Sequence, residues 1–382
     1  MTSKPSQSSR PVSTQQGIKM LDFTLDEEQE MLQRTIRRYS EERVRKAFRE
    51  AEEAGDVPED VVRAGWEIGL LPTGLPEAYG GFGEYSVVTG AVAVEAFAWG
   101  DLATALHVMA PNLVAIPILL AGDEGQKEQY LPQFCEMAPP AMTAALVEPG
   151  VKFDPRRLQT VARREGDNYV LDGVKSMAPL AEESGEILVY AHEDGTTQAF
   201  LVPTDSDGLR VGDRDRLLGV HALPANRVQL DSVCVPAENR LGGDGGIDFD
   251  SILNHSRVAL GAAAVGVARA AYEYALDYAK QRVQFGEPIA HRQSIAFMLA
   301  EMAIDVETMR LLVWEAAWKM DQGQNVTREA TVMKHYVDSR VLKTADRAVQ
   351  ILGGYGYMRE FPVELWLRNA RGFAHFDGLA II

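Results

Sequence analysis

From Leu21 to about Pro139 the apolar positions recur at helical spacing, as in Met31, Leu32, Ile36 and Tyr39, with charged residues between them. That period predicts a helical domain. Between about Ala141 and Gly242 the pattern changes to short β-rich runs, Asn168 to Asp172, Ile187 to Ala191, Ala199 to Val202 and Arg227 to Leu230, each bounded by Gly, Asp or Pro. These predict a β domain in the middle of the chain. After the break at Gly242-Gly-Asp-Gly-Gly246 the helical period returns, and Val258 to Ala279 is so rich in Ala, Gly and Val that it reads as buried on most sides. Small side chains there let neighbouring helices approach closely. The expected division is a disordered tail (1–19), a helical domain (20–140), a β domain (141–242) and a C-terminal helical domain (243–382). The fold class is α+β, mainly helical, because parallel α/β folds alternate strands with helices rather than segregating them.

Composition narrows the function. The chain has 382 residues, 46% hydrophobic and 24% charged, as in an ordinary folded protein of two to three units. Against 55 acidic residues stand 38 basic ones, a formal charge of −17, so nucleic acid or an anionic membrane surface is not an expected partner. A small polyanion in a locally basic pocket stays compatible with that field. Cys135 and Cys234 form no CxxC pattern, which argues against a disulfide framework or a cysteine metal site and fits a reducing, cytoplasmic setting. The most apolar run, Leu113 to Ala121, is broken by Pro117 and is far shorter than the ~20 residues of a bilayer span. Residues 1–19 hold no acidic residue and many Ser, Gln and Thr. They read as a disordered tail, with an organelle transit peptide as the alternative.

Several common chemistries have no motif here. The seven histidines include no HExxH, so no protein-built metal site is expected. GxSxG and P-loop sequences are absent. Gly353-Gly-Tyr-Gly356 is not read as a dinucleotide loop, because Arg359 stands where a third glycine would fall and no strand run precedes it. If the chain is an enzyme, a bound organic cofactor carries the hard chemistry.

Three segments of the second helical region are distinctive: Tyr278-Ala-Lys-Gln-Arg-Val-Gln-Phe-Gly-Glu-Pro-Ile289, then Gln293 with Phe297-Met-Leu-Ala-Glu-Met302, then Val349-Gln-Ile-Leu-Gly-Gly-Tyr-Gly-Tyr-Met-Arg-Glu-Phe-Pro-Val-Glu364. They closely resemble the C-terminal domain of the acyl-CoA dehydrogenase family. Leu71 to Gly83 and Leu230 to Leu241 extend the resemblance, more weakly, over nearly the whole chain after the tail. It implies a helical domain, a β domain and a C-terminal four-helix bundle, in a dimer or tetramer that binds FAD across subunit contacts. It further implies that Arg282 and Phe285 hold the diphosphate and adenine side of a neighbouring subunit's FAD, with Gln293, Gln350, Gly353 and Gly354 completing that surface. The chemistry suits the residue types, since a guanidinium pairs with diphosphate oxygens and glycine lets the backbone come close. Arg257 falls where the family has an arginine near the mouth of the acyl pocket, where orienting a thioester and a structural ion pair are both open roles.

In the family reaction a carboxylate removes the α-proton of an acyl thioester while the β-hydride passes to the flavin. Asp377, in Phe376-Asp-Gly-Leu-Ala380, stands where the catalytic glutamate is expected, one methylene shorter. Ser256 occupies the other position from which some members supply the glutamate. The family's Thr-Glu-Pro-Gly-Ala-Gly-Ser-Asp loop is here Val147-Glu-Pro-Gly-Val-Lys-Phe-Asp154. Its Lys-Met-Trp-Ile-Thr-Asn-Gly segment is Lys175-Ser-Met-Ala-Pro-Leu-Ala181, so Met177 and Pro179 replace the Trp and Thr that meet the flavin ring. The sequence also stops at Ile382, short of the family's usual closing helix.

The resemblance implies FAD-dependent α,β-dehydrogenation of an acyl thioester, with an electron-transfer flavoprotein as possible acceptor. Two alternatives stand beside it. One is a catalytically impaired subunit that supports FAD in a hetero-oligomeric acyl-CoA dehydrogenase; the other is a flavin oxidase or monooxygenase on the same fold. The expected assembly is a homo- or hetero-tetramer with a related subunit.

Overall fold

A computed structural model describes residues 23–382, so the expected tail over 1–19 lies outside the described residues. The first helical region contains α1 (Glu27–Tyr39), α2 (Arg45–Ala54), α3 (Glu59–Trp66), α4 (Leu70–Thr73), α5 (Val87–Gly100), α6 (Leu102–Val108), α7 (Asn112–Ala121) and α8 (Glu124–Tyr130). α1 is an amphipathic surface helix that starts in a reciprocal cap between Asp26 and Gln29. α5 is apolar on nearly every side and correspondingly buried. Its first amides are met by an acid from elsewhere in the chain: Asp321 accepts from the Val87 N–H at 2.7 Å and the Ser86 hydroxyl at 2.8 Å, a negative charge at the positive end of a helix.

The four predicted runs fall within β3 (Asn168–Pro179), β4 (Glu186–Glu193), β5 (Thr196–Pro203) and β7 (Ala225–Pro236). They are joined by β1 (Met142–Ala145), β2 (Val161–Glu165) and β6 (Leu209–Arg214) in one seven-stranded sheet, ordered β1-β4-β2-β3-β7-β6 with β5 against β4. β1 runs parallel to β4, whereas β3 pairs antiparallel with β2 and β7. The β3–β7 register shifts between Lys175 and Ala178, and Met177 within that irregularity has φ +53°. Such bulges re-aim side chains, here in the segment that differs from the family.

The second helical region comprises α9 (Phe249–Gln281), a small hairpin of β8 (Val283–Gln284) and β9 (Glu287–Pro288), α10 (Gln293–Asp321), α11 (Thr327–Leu352) and α12 (Val363–Gly372). α9 is its axis, and the small residues expected to allow close approach do so. A Cβ on Gly266 would lie 2.4 Å from the Glu95 carbonyl oxygen of α5, and one on Gly261 would lie 2.5 Å from Met333 Sδ of α11. α5 therefore shares a core with α9 and α11, and the two helical regions, far apart in sequence, bury one continuous apolar cluster. Among the described residues no single helix is long and apolar enough to cross a membrane.

Candidate functional site

Asp377 lies just beyond α12, after a turn over Phe373–His375. Phe376 packs across bare Gly372, where a Cβ would fall 2.0 Å from the ring. Gly378, at φ +85°, donates its N–H to Ser256 Oγ of α9 at 3.1 Å and is pressed against Leu146. These contacts fix the carboxylate between α9 and α11. Its side chain is 16% exposed, and two cations face it: Arg257 Nη2 is 3.6 Å from Oδ2 and Lys334 Nζ is 3.9 Å from Oδ1. Both separations exceed a hydrogen bond. Oδ1 is buried and has no hydrogen-bond partner.

The cations are anchored elsewhere. Arg257 Nη1 donates to Thr331 Oγ1 at 3.1 Å. Lys334 Nζ donates to both oxygens of Asp338, at 2.9 and 2.8 Å, and to the Phe373 carbonyl at 2.7 Å. Burial pushes the Asp338 carboxyl up against the pull of Lys334, and the Asp377 charge adds to the rise. Thr331, Lys334 and Asp338 belong to no motif and were not singled out in the sequence. Their only local signal is the i, i+4 spacing of Lys334 and Asp338, common on any helix.

The segments that differ from the family lie on the β-domain side. Lys175, with no exposure, donates to Glu148 at 2.8 Å and to the Leu146 carbonyl at 3.3 Å. Glu148 also accepts the Gln159 and Thr160 N–H groups at 2.6 and 2.8 Å. Burial pulls the Lys175 ammonium down to about 8, while the Glu148 carboxyl, which burial alone would raise, is held low by Lys175. This pair ties the 147–154 loop to β3. The Met177 N–H is taken by Asp215 at 2.9 Å, and Phe153 packs into an apolar cluster with Leu113, Leu146 and Phe249. Pro179 is buried and brings neither a hydroxyl nor an N–H to this edge.

The expected nucleotide-holding residues lie at the other end of α9 and α11, at and just past their C-termini, whereas Arg257 and Lys334 are near their N-termini. A concavity of about 500 Å³ is lined by Tyr278, Arg282, Gln284, Leu352, Gly354 and Tyr355, together with Ile289 and Met358. The Arg282 guanidinium lies 5.2 Å from the Tyr355 ring, which stacks on Phe361 at 5.1 Å. A Cβ on Gly353 or Gly354 would meet nothing within 4 Å, so the backbone there is open to a ligand. The structure thus brings Arg282 and Gly354 together beside Gly353. Phe285, Gln293 and Gln350 lie outside that wall: Phe285 sits in the β8–β9 turn, 92% exposed and 5.7 Å from the Arg292 guanidinium, Gln293 opens α10, and Gln350 is exposed on the last turn of α11.

This surface fits the diphosphate and nucleoside part of FAD: a cation, an aromatic ring and bare backbone around an open hollow. The β-domain edge fits the flavin ring less well, because Pro179 and the engaged Met177 N–H leave it short of donors.

The chain matches the acyl-CoA dehydrogenase N-terminal domain over residues 26–138, the middle domain over 143–233 and the C-terminal domain over 243–380. It is 34% identical to an acyl-CoA dehydrogenase of Bacillus subtilis, with 92% of this chain and 94% of that protein covered. It is 33% identical to the caffeyl-CoA reductase–Etf complex subunit CarC of Acetobacterium woodii, covering 92% and 95%. Among solved structures, butyryl-CoA dehydrogenase from Megasphaera elsdenii superimposes with a TM-score of 0.86 at 31% identity, over 94% of this chain and 96% of that one. Three domains matched in order, over a fold already built from helices, sheet and helices, place this chain in the acyl-CoA dehydrogenase family of FAD-dependent oxidoreductases.

Proposed function

We propose that the chain carries out α,β-dehydrogenation of an acyl-CoA with Asp377 as the base, at an FAD site completed by the Arg282 surface of a neighbouring subunit. The observation that carries this reading is the buried, unpartnered Oδ1 of Asp377. A buried carboxylate oxygen without a hydrogen bond is costly and calls for a reason, and readiness to take a proton is one. FAD supplies the acceptor for the hydride that leaves the β-carbon. Asp377 takes the α-proton at Oδ1, the carbon–carbon double bond forms, and the carboxylate becomes a neutral acid. Arg257 and Lys334 attract the carboxylate from 3.6 and 3.9 Å without hydrogen-bonding either oxygen. Arg257, the more accessible to a thioester by its family position, is the proposed substrate contact. Arg282, Gly353 and Gly354 would hold the diphosphate side of the cofactor, with Phe285, Gln293 and Gln350 at its margin once a second chain is docked. An electron-transfer flavoprotein is the proposed acceptor, by likeness to the Etf-linked relative.

The test is anaerobic reduction of the bound flavin by butyryl-CoA. Asp377→Asn should slow bleaching by about 10²- to 10⁴-fold with flavin content unchanged. Equal bleaching in the variant removes Asp377 from the mechanism. A second reading, a subunit that supports FAD in a related catalytic partner, is favoured by Pro179 and by the inward-packed Phe153. It requires that the isolated chain fail to bleach at all.

A further inference from the structure

Asp377 shares a cation with a second carboxylate. Lys334 and Asp338 stand four residues apart on one face of α11, and the Lys334 ammonium donates to both Asp338 oxygens, at 2.9 and 2.8 Å. It also donates to the Phe373 carbonyl at 2.7 Å, at the C-terminal end of α12, where a cation is favoured. An ammonium has three protons to give, and these acceptors take them all. None is left for Asp377 Oδ1, 3.9 Å away, so that oxygen stays buried without a hydrogen-bond partner. Arg257 does not fill the gap, because it faces the other oxygen, Oδ2, at 3.6 Å while its Nη1 is engaged by Thr331.

Resting on the dehydrogenase reading, we infer that Asp338 is a positioning residue for the base: by holding Lys334, it keeps the proton-accepting oxygen of Asp377 free. Without the Asp338 charge, Lys334 turns to Asp377. A swing of about 1 Å converts the 3.9 Å separation into a charge-assisted hydrogen bond. Oδ1 then accepts from an ammonium where it must accept from carbon, and a carboxylate stabilised in its charged form is the weaker base. The charged and titratable groups facing this balance are Arg257 from α9, Lys334 and Asp338 from α11 with exposed His335 beside them, and Asp377 from the segment after α12. Burial raises the Asp338 carboxyl, so mild acid that neutralises it releases Lys334 in the same way.

The experiment is anaerobic bleaching of the bound flavin by butyryl-CoA across pH, in the wild type, Asp338→Asn, Asp338→Glu, Lys334→Met and Lys334→Met/Asp338→Asn, together with a crystal structure of Asp338→Asn. Asparagine keeps the shape, loses the charge and offers one acceptor oxygen, so at least one Lys334 proton is released. Asp338→Asn should bleach about tenfold or more slowly with its flavin content unchanged, and the acid limb of its pH profile should move about one unit to lower pH. Asp338→Glu returns the charge and should recover most of the rate. In the Lys334→Met background no ammonium remains to be released, so adding Asp338→Asn should slow bleaching by no more than about twofold. The crystal structure should place Lys334 Nζ within hydrogen-bond distance of Asp377 Oδ1. An unchanged rate and pH profile in Asp338→Asn overturns the inference, as does an equal loss in the Lys334→Met background or a Lys334 that stays away from Asp377. If butyryl-CoA fails to bleach even the wild type, the dehydrogenase reading fails, and the crystal structure alone decides whether Asp338 governs Lys334. Bleaching of the wild type with no effect of Asp338 leaves that reading standing.

Discussion

The two ends of α9 and α11 are built differently. The Arg282 surface is open: bare glycine backbone, a guanidinium beside a tyrosine ring and an almost fully exposed Phe285 surround a hollow of about 500 Å³. The Asp377 side is closed, with its carboxylate held between anchored cations and the space beyond it packed with the chain's own apolar residues. In the proposed assembly an open half-site keeps the residues that a second molecule would meet, whereas a closed one accepts replacement as long as the packing is rebuilt around it. On the proposed reading this accounts for an intact family motif around Arg282 and Gly353 beside a β3 segment that carries Met177 and Pro179. The Lys175–Glu148 ion pair, whose two residues match the family's segments, holds that edge from within.

Substitutions can break or sharpen this contrast. The largest expected effect is on the closed side. Lys175→Met leaves Glu148 charged and buried without its cation and should lower unfolding stability by about 3–5 kcal/mol, read by urea denaturation. A loss under about 1 kcal/mol would mean that solvent already reaches the pair. Next comes Lys334→Met, which frees Asp338 and lets the base shift; a displacement near 1 Å should slow turnover about a hundredfold, with the pH–rate profile altered and flavin content constant. A change in KM alone would speak against a positioning role. On the open side, Arg282→Ala should weaken FAD by about ten- to a hundredfold, the range of a charge-assisted hydrogen bond, and leave the melting temperature of the apoprotein unchanged. If stability fell as much as FAD affinity, the surface would be structural.

A further effect is a pH dependence of the interior. Burial lowers His107 from its ordinary value of 6.5 to about 4. The unfolded chain therefore binds the proton more readily between those values, so stability is full above about pH 6.5 and declines toward pH 4, by at most about 1.4 kcal/mol per pH unit. His107→Gln should flatten that part of the stability profile, and an unchanged slope would assign the acid sensitivity to other groups.

Much of this was legible from residues close together in sequence. The period change near Ala141 and the return of helical spacing after Gly246 give the order of elements, and the runs at 168–172, 187–191, 199–202 and 227–230 lie inside strands. Arg282, Gly353 and Asp377 stand out because they sit in continuous motifs. Features made by distant residues were not legible. Lys334 reaches the Asp377 loop across the gap between α11 and the turn after α12, and nothing in the sequence of either marks the pairing. α5 shares its core with α9 because Gly266 admits Glu95 and Trp99, a contact that a division at about residue 140 conceals. The burial of Leu379–Ile382 likewise depends on Gly90 and Asn112, nearly three hundred residues earlier.

The most direct measurement is the visible spectrum of the purified chain, with its flavin-to-chain ratio, before and after anaerobic addition of butyryl-CoA. The account predicts about one flavin per chain in a homo-oligomer and loss of the oxidised absorbance on addition of the thioester. A colourless chain that acquires flavin only with a related second subunit, and then about half a flavin per chain, would contradict it and assign the chemistry to the partner.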